Sequence, residues 1–311
     1  MFKNNNTISV MYHYVRDNKK ENTPNLNSLN INDFKKQLDW LENNFTPMSF
    51  DEYDNCIKNN NKFPDNKFLL TFDDGLKDHF TYVYPELRKR GLWGQFYINS
   101  QVYLEKKPLA VHVTHMILDK IGAEKYTELV KEELKIYDVK IADFKIDNVY
   151  RYDNISYGII KRLMNYLLDY NIRDKIIDTL FYRFFDNKEQ FCKDIYCNED
   201  EILEMINGGM IFGSHTHSHK VLSRLSYNEQ YKELEKSYNY MVDTFGINNP
   251  VFCFPYGHTH TYNKDTLYIL EKLGYHSGFN TVRDTTCITK SNKYELQRYD
   301  AVDLYPIKVI K

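Results

Sequence analysis

The stretch LLTFDDG, residues 69–75, runs from a short apolar segment directly into two neighbouring aspartates and a glycine. A short apolar run that is bounded by polar residues is typical of a buried strand. Two adjacent carboxylates at the end of a strand repel each other, because like charges at short distance raise the free energy. A bound cation would remove this cost, and the rest of the sequence contains residues that could help to bind one.

The composition excludes several classes of protein. The chain has 311 residues, enough for one large domain or two smaller ones. Its formal net charge of −2 argues against a nucleic acid or a membrane surface bound through bulk charge. Residues 1–15 lack a long apolar segment, and no stretch is long enough to span a bilayer. We therefore expect a cytoplasmic protein with no nucleic-acid partner and no membrane span, and the oligomeric state is not predicted.

The cysteines indicate neither a disulfide framework nor a thiolate zinc site. They are odd in number, scattered, and contain no CxxC pair: Cys56, Cys192, Cys197, Cys253 and Cys287. Small secreted proteins with disulfides and zinc sites built from thiolates both show regular cysteine spacing. The sequence therefore agrees with a reducing compartment.

Predicted strands and helices alternate along most of the chain. Strands are predicted in apolar segments that end at polar residues: 7–15, 67–75, 93–99, 210–215 and 250–257. Helices are predicted at 30–45, with Asn30 or Asn32 as the cap, at 81–91, closed by Gly91, and at 226–246 and 263–274. Segments 275–281 and 294–302 complete the pattern. This order of apolar strands and helices indicates parallel β/α units.

A long helical stretch interrupts the alternation. Residues 105–208 show mostly helical patterns, and the stretch is far longer than an ordinary connection. We therefore predict an α/β fold, a distorted (β/α) barrel formed by residues 1–104 and 209–311. Residues 105–208 are predicted to form an insertion that acts as a lid or shapes the substrate pocket.

Three predicted strands end in residues that carry chemistry: LLTFDDG, MIFGSHTHSH at 210–219 and PVFCFPYGH at 250–258. In β/α barrels the functional side chains gather at the carboxyl ends of the strands. His215 and His219 are four residues apart and can bind one ion, to which Asp73 or Asp74 can add a carboxylate. Two histidines and one carboxylate with open positions form a hydrolytic metal site. The second aspartate could then act as a general base.

Each motif also has a simpler interpretation. The DDG triplet alone fits a loop or a helix cap, and HTHSH alone fits an incidental histidine cluster. Their joint occurrence, each directly after an apolar strand, favours a shared metal site.

The sequence resembles the polysaccharide deacetylases of carbohydrate esterase family 4, the NodB homology domain. The resemblance rests on TFDD at 71–74, HTHSH at 215–219, PYG at 255–257 and the N-terminal MYHYV at 11–15. It implies the distorted (β/α) barrel of the polysaccharide deacetylase type. It also implies a divalent metal cofactor, for which the nitrogen and oxygen ligands favour zinc, although other divalent ions could bind.

The resemblance also implies a role for individual residues. It implies Asp73 as the catalytic base, and Asp74, His215 and His219 as the metal ligands. The backbone N–H of Tyr256 is implied to stabilise the oxyanion. Pro255 beside it and His13 at the end of the first strand are candidate substrate-binding residues, and His13 could also orient a metal ligand.

The sequence departs from the family at two positions. Cys253 stands where the family usually has an arginine that pairs with the catalytic acid, and Arg298 is the candidate replacement, with a surface salt bridge as the alternative. The usual final Leu-x-His, which supplies the general acid, is missing. We expect His112, in a helix that opens the insertion, or next His258 to supply the proton, although either could be purely structural.

The motifs together predict a metal-dependent amidase that removes an acetyl or formyl group from the nitrogen of an amino sugar. The expected substrate is a sugar or glycan precursor in the cytoplasm, used for a surface glycan. The alternative is a non-catalytic relative that keeps the fold as a sugar-binding or structural domain. The missing arginine and the missing terminal histidine favour this alternative, whereas the complete Asp-Asp-His-His set argues against it.

Overall fold

The computed structural model of the chain describes residues 6–143, 155–284, 286 and 293–305. Cys287 lies outside the described residues. The strands are β1 Ile8–Tyr12, β2 Val15–Arg16, β3 Leu29–Asn30, β4 Thr46–Pro47, β5 Lys67–Phe72, β6 Gln95–Ile98, β7 Ile211–Ser214, β8 Val251–Cys253, β9 Gly278–Phe279 and β10 Tyr299–Asp300. The helices are α1 Ile31–Asn44, α2 Phe50–Asn59, α3 Tyr84–Arg90, α4 Ser100–Leu104, α5 Ala110–Ile136, α6 Ile155–Arg162, α7 Tyr170–Phe184, α8 Lys188–Ile195, α9 Glu199–Asn207, α10 Tyr227–Phe245 and α11 Lys264–Leu273.

The chain divides into two compact units. The first, here called the barrel unit, comprises Met1–Asp17, Ser28–Glu105 and Lys193–Lys311. The second, here called the insertion unit, comprises Asn18–Asn27 and Lys106–Cys192. Helix α9 lies within the insertion predicted at 105–208 but belongs to the barrel unit.

The barrel unit is built on an eight-stranded sheet in the order β10-β1-β5-β6-β7-β8-β9, with β4 added beside β5. Every pair of neighbouring strands is parallel. The sheet curls into a half-barrel that helices surround, which confirms the predicted distorted (β/α) barrel fold. Since the strands are parallel, their carboxyl ends lie along one edge of the sheet.

The segment 293–300 is hydrogen-bonded to the sheet at two places, first at β9 and then at β1. The Leu296 N–H donates to the Gly278 carbonyl at 2.9 Å, and the Asn280 N–H donates to the Leu296 carbonyl at 2.9 Å. Three residues further along, β10 pairs with β1. Arg298 lies between these two attachments, and its side chain is completely buried.

Helix α1 follows the predicted pattern closely. The Asn30 side chain caps it by accepting a hydrogen bond from the Asn32 N–H at 2.9 Å, so Asn30 is the cap residue of the two candidates. Phe34, Leu38 and Leu41 are buried along one face. Helix α2 was not predicted, although Ser49 and Glu52 form a capping box at its start.

Two predicted strands end earlier than expected. The strand predicted at 7–15 is interrupted after Tyr12, because the Val15 N–H turns away to donate to Asp78 Oδ2 at 3.0 Å. The strand predicted at 250–257 ends at Cys253. Pro255 cannot donate a ladder hydrogen bond, and Tyr256 adopts a left-handed backbone with a φ of +62°.

In the insertion unit, α5 packs against both α6 and α7. Helix α5 is kinked at Gly122, whose φ is +75°. The segment Asn18–Asn27 joins this unit through Asn25, whose N–H donates to Asp119 Oδ1 at 2.7 Å and whose side-chain amide donates to the Asp119 carbonyl at 2.9 Å. Among the described residues, no helix combines the length and the apolar character needed to cross a membrane.

Candidate active site

Four strands of the barrel unit place candidate site residues at one edge of the sheet. His13 follows β1, Asp73 follows β5, His215 follows β7, and Tyr256 lies in the turn after β8. The register of β1 and β5 pairs Tyr12 with Phe72, so the next residues, His13 and Asp73, are neighbours. The site is therefore assembled by parallel strand pairing rather than by a single loop.

Asp73 is held by a buried ion pair. Arg298 donates from Nη1 to Asp73 Oδ1 at 2.7 Å and from Nη2 to Asp73 Oδ2 at 2.8 Å. Neither side chain is exposed by more than 3%. Arg298 is thus a fully buried partner of Asp73 and does not form a surface salt bridge. A two-bond fork of this kind fixes the orientation of the carboxylate as well as its charge.

The ion pair keeps Asp73 negatively charged. Burial alone would raise the pKa of Asp73, but the positive charge of Arg298 and its two hydrogen bonds lower this pKa to about 2. Asp73 also raises the pKa of Arg298, against the effect of burial. At neutral pH, Asp73 is therefore an ionised carboxylate that can accept a proton.

Cys253 occupies the space beside this ion pair. Its Sγ accepts a hydrogen bond from Arg298 Nη2 at 2.9 Å and donates to Asp73 Oδ2 at 3.5 Å. Burial raises the pKa of Cys253 well above its usual range, so the thiol stays protonated. Position 253, where the resemblance predicts an arginine, thus holds a small neutral thiol. The guanidinium that pairs with Asp73 comes instead from Arg298, in the segment between β9 and β10.

Asp74, His215 and His219 form a cluster that fits a metal ion. All three are buried, and their ligand atoms lie within 4.8 Å of one another. Asp74 Oδ1 is 3.6 Å from His215 Nε2 and 3.5 Å from His219 Nε2. In a tetrahedral site with bonds of about 2.0–2.1 Å, two ligand atoms lie about 3.3–3.4 Å apart. The spacing and the donor types therefore both suit a small divalent cation.

The hydrogen bond of His215 prepares its ring for ligation. Nδ1 donates to the Cys253 carbonyl at 2.8 Å, so the proton is on Nδ1 and the lone pair of Nε2 is directed toward Asp74. Burial lowers the pKa of His215, although Asp73 and Asp74 oppose this effect. The neutral ring is the form that binds metals.

A second group of potential ligands, formed by Asp73, His215 and Cys253, does not fit a cation. Arg298 binds both oxygens of Asp73 and also contacts Cys253 Sγ. A positive guanidinium at these atoms repels a metal ion and occupies the lone pairs that it would need. Of the two groups, the set that contains Asp74 is therefore the candidate metal site.

The turns that carry the site have unusual backbone conformations. Four of their residues other than glycine have a positive φ: Asp74 at +79°, Thr216 at +68°, His219 at +56° and Tyr256 at +62°. Such conformations are unfavourable for residues with a side chain, and they concentrate at functional sites. The Tyr256 ring also packs against the His219 ring, with centroids 4.9 Å apart.

Three histidines were candidates for other roles. His13 Nε2 lies 3.8 Å from Asp73 Oδ2, and its side chain is 43% exposed. His258 is exposed, and its ring stacks on that of His260 with centroids 5.7 Å apart. His112 is buried in α5, in the insertion unit. The predicted acid roles of His112 and His258 stay predictions, whereas His13 contacts Asp73 directly.

From the sequence, His13 is a candidate for substrate binding rather than for the acid. The sequence indicates that His13 ends the first strand, but it does not indicate that the side chain lies beside Asp73. The Asp73 carboxylate is hydrogen-bonded to Arg298 and Cys253, and His13 Nε2 lies 3.8 Å from its Oδ2. Of these, His13 combines partial exposure with a ring that can carry a proton.

An aspartate and histidine cluster at the carboxyl edge of a (β/α) barrel is a donor set typical of hydrolases. The family model for polysaccharide deacetylases matches residues 121–278, slightly more than half of the chain. The chain therefore belongs to the polysaccharide deacetylase family. A comparison with curated proteins finds no match.

Solved structures of deacetylases share the fold. The deacetylase PplD of Streptococcus pyogenes, solved in complex with acetate, superposes with a TM-score of 0.58 at 18% identity, over 95% of this chain and 92% of that chain. IcaB from Ammonifex degensii gives 0.57 at 14% identity, over 98% and 94%. The de-N-acetylase from Aggregatibacter actinomycetemcomitans gives 0.57 at 13% identity, over 97% of both chains. These similarities show that the chain has the fold of these deacetylases.

Proposed function

We propose that this protein is a divalent-metal-dependent hydrolase that removes an acetyl or formyl group from the nitrogen of an amino sugar. The observation that carries the proposal is the pair of neighbouring aspartates with different partners. Asp74 faces His215 and His219, whereas Asp73 is bound by Arg298. Metal-assisted amide hydrolysis needs both a ligand set and a separate base within reach of it.

Different residues take different roles in the proposed amide hydrolysis. A divalent ion held by Asp74, His215 and His219, with zinc as the expected ion, would supply Lewis acidity at the acyl carbonyl and make water a better nucleophile. Asp73 accepts a proton from the attacking water as the new C–O bond forms. The backbone N–H of Tyr256, in the turn after Pro255, donates to the carbonyl oxygen as negative charge develops there.

The second half of the reaction needs a proton donor. The C–N bond breaks and the leaving amine must take a proton, since a free amide anion is a very poor leaving group. We assign this donation to His13, because its ring reaches Asp73 and is open to solvent. The acid product keeps the second hydrogen of the attacking water, and the proton that Asp73 has accepted passes to His13, which restores both residues.

The substrate class is proposed on chemistry. Acetate bound to the Streptococcus pyogenes deacetylase and the name of the de-N-acetylase both support an N-acetyl group, and an N-formyl group follows the same chemistry. An amino sugar as the carrier agrees with the family. A cytoplasmic glycan precursor as the substrate, and an insertion that covers it, stay predictions.

The proposal is tested by metal content and by release of the acyl group. We expect about one zinc or similar ion per chain in purified protein, and release of acetate or formate from N-acylated amino sugars. Asp73→Asn should keep the metal and lose activity by about 10²–10⁴-fold, the usual contribution of a general base. Metal-free wild-type protein that releases no acyl group would instead support the non-catalytic sugar-binding relative.

Asp78 offers a matched control for this substitution. Arg16 donates to its two carboxylate oxygens at 2.7 and 2.8 Å, and both side chains are about 4% exposed, much like the pair at Asp73. Asp78→Asn therefore breaks an equivalent buried ion pair outside the proposed machinery. We expect it to lower stability and to keep most of the activity of the folded protein. An equal loss of activity in both variants would contradict the assigned role of Asp73.

A further inference from the structure

The turn between His215 and His219 is held in a conformation that its sequence does not favour. Thr216 has a φ of +68° and His219 a φ of +56°, although neither is glycine. A backbone of this kind persists only where surrounding contacts determine it. The contacts of this turn therefore decide where the two histidine rings lie.

His217, in the middle of the turn, is held at both ring nitrogens. Its Nδ1 lies 2.8 Å from Ser100 Oγ, and its Nε2 lies 2.9 Å from Glu105 Oε1. Lys236 Nζ donates to the same glutamate oxygen at 2.6 Å and lies 2.9 Å from His217 Nε2. The His217 carbonyl accepts a hydrogen bond from the Gln101 N–H at 3.0 Å. Because both ring nitrogens have these partners, His217 is not placed to bind the metal.

The turn is anchored on a second side by α10. The Ser218 N–H donates to Glu233 Oε2 at 2.9 Å, and the Ser218 hydroxyl donates to Glu233 Oε1 at 2.6 Å. The Asn99 side chain also donates to the His215 carbonyl. These bonds hold the turn at Ser218 and His215, and the His217 side chain adds the contacts to Ser100 in α4 and to Glu105 directly after it.

We propose that His217 is a positioning residue, which sets the geometry of the two metal-binding histidines through its bonds to Ser100, Glu105 and Lys236. This inference rests on the proposed metal site at Asp74, His215 and His219. Without the His217 anchor, the unfavourable backbone at Thr216 can relax, and the flanking rings then leave the positions that match one ion. Partners that orient metal ligands typically contribute about 10–100-fold to metal affinity or activity.

His276 provides a closely matched control. Its Nδ1 lies 3.0 Å from Ser277 Oγ and its Nε2 lies 3.0 Å from Asp54 Oδ1, which reproduces the serine and carboxylate partners of His217. It follows α11, however, rather than lying between the two candidate ligands. Removing either ring should cost stability, but only the removal of His217 should affect the metal.

The experiment measures zinc affinity of metal-free protein by competition with a chelator, for wild type, His217→Ala, His217→Gln and His276→Ala. We expect His217→Ala to raise the dissociation constant for zinc about tenfold or more. His217→Gln, which can keep one hydrogen bond, should lie between wild type and His217→Ala, and His276→Ala should match wild type. Equal zinc affinity in the two alanine variants would overturn the inference.

Two further results keep the test decisive. If His217→Ala does not fold, Glu105→Gln replaces it, because Glu105 is 41% exposed and its loss leaves the core intact. A several-fold higher dissociation constant in Glu105→Gln then supports the inference, and an unchanged constant overturns it. Wild-type protein that binds no zinc would overturn the proposed metal site itself, which is a separate result.

Discussion

At the scale of single residues, the division between Asp73 and Asp74 follows from their partners. An isolated carboxylate with the burial of Asp73 would favour the protonated form, but the two bonds from Arg298 keep it ionised. Asp74 instead lies within 3.6 Å of two histidine nitrogens. The same pair of neighbouring residues therefore offers one carboxylate for a cation and one for a proton.

His13 can be tested as the acid by changing the leaving group. An amine must be protonated as it leaves, whereas an activated phenolate leaves without a proton. We expect His13→Asn to lower hydrolysis of an N-acetyl amino sugar by about 10²–10⁴-fold and to change hydrolysis of 4-nitrophenyl acetate little. Asp73→Asn should lower both rates, because the attacking water is common to both reactions. Steady-state rates on the two substrates give the result.

The matched variant for this experiment is His258→Asn. If His13 supplies the proton, His258→Asn should hydrolyse both substrates at nearly the wild-type rate. The reverse pattern, with amide hydrolysis lost in His258→Asn and kept in His13→Asn, would give the acid role to His258.

The sequence predicted which residues gather at the site better than it predicted their contacts. Asp73, Asp74, His215 and His219 each follow an apolar strand, and parallel strands bring such ends together. His13 and Asp73 are neighbours because of the register in which β1 and β5 pair. The pattern of a single sequence does not specify this register.

At the scale of elements, local patterns explain what was predicted and what was missed. Helix α1 has three apolar residues at helical spacing, and it was predicted within one residue at each end. Helix α2 buries Tyr53, Cys56 and Ile57 but is short and rich in polar residues. Its capping box is therefore the one clear signal for this helix in the sequence. The break after β1 could not be predicted, because it depends on Asp78, which is 63 residues away from Val15.

The contact between β7 and β8 requires glycine at position 213. Gly213 pairs with Val251, and a Cβ there would lie 2.2 Å from the Val251 carbonyl oxygen. The two strands that carry His215 and Cys253 would have to separate to accept it. We expect Gly213→Ala to lower the free energy of unfolding by about 2–3 kcal/mol, the upper part of the range for overpacking. Denaturant unfolding of the metal-free protein measures this.

Gly91→Ala is the control for this substitution. Gly91 ends α3 with a φ of +67°, and apart from the adjoining backbone no atom of the described residues lies within 4 Å of the position that a Cβ would take. Gly91→Ala should therefore lower the free energy of unfolding by about 1–2 kcal/mol, because alanine is unfavourable in a left-handed backbone conformation. A loss in Gly213→Ala that is smaller than the loss in Gly91→Ala would show that the strands can adjust.

At the scale of the whole molecule, the two units are built from segments that are distant in the sequence. The segment Asn18–Asn27 belongs to the insertion unit because Asn25 is bonded to Asp119, 94 residues away. Helix α9 follows the insertion but belongs to the barrel unit. A change of local pattern can reveal that an insertion exists, but its limits depend on such distant contacts.

His79 makes the stability of the whole molecule depend on pH. It is fully buried, and its ring packs against Phe72 and Phe96 with centroids 5.6 Å away in both cases. Its Nε2 donates to the His13 carbonyl at 3.1 Å, and its Nδ1 has no hydrogen-bond partner among the described residues. Burial is the main cause that lowers the pKa of His79 to about 4. Protonation would therefore place an unpaired charge in the core.

The sign of the pH effect follows from the proton count. An unfolded histidine titrates near pH 6.5, so between pH 6.5 and 4 the unfolded state binds a proton that folded His79 does not. The contribution of neutral His79 to the free energy of unfolding is fully present above pH 6.5, and up to about 3 kcal/mol of it is lost as the pH falls to 4.

We expect His79→Gln to flatten the dependence of the unfolding free energy on pH in this window, by up to about 1.4 kcal/mol per pH unit. Denaturant unfolding of metal-free protein at several pH values measures the slope, and exposed His260→Gln should keep the wild-type slope. A slope in His79→Gln equal to that of wild type would mean that His79 is protonated in the folded protein or exposed to water, against the burial on which the argument rests.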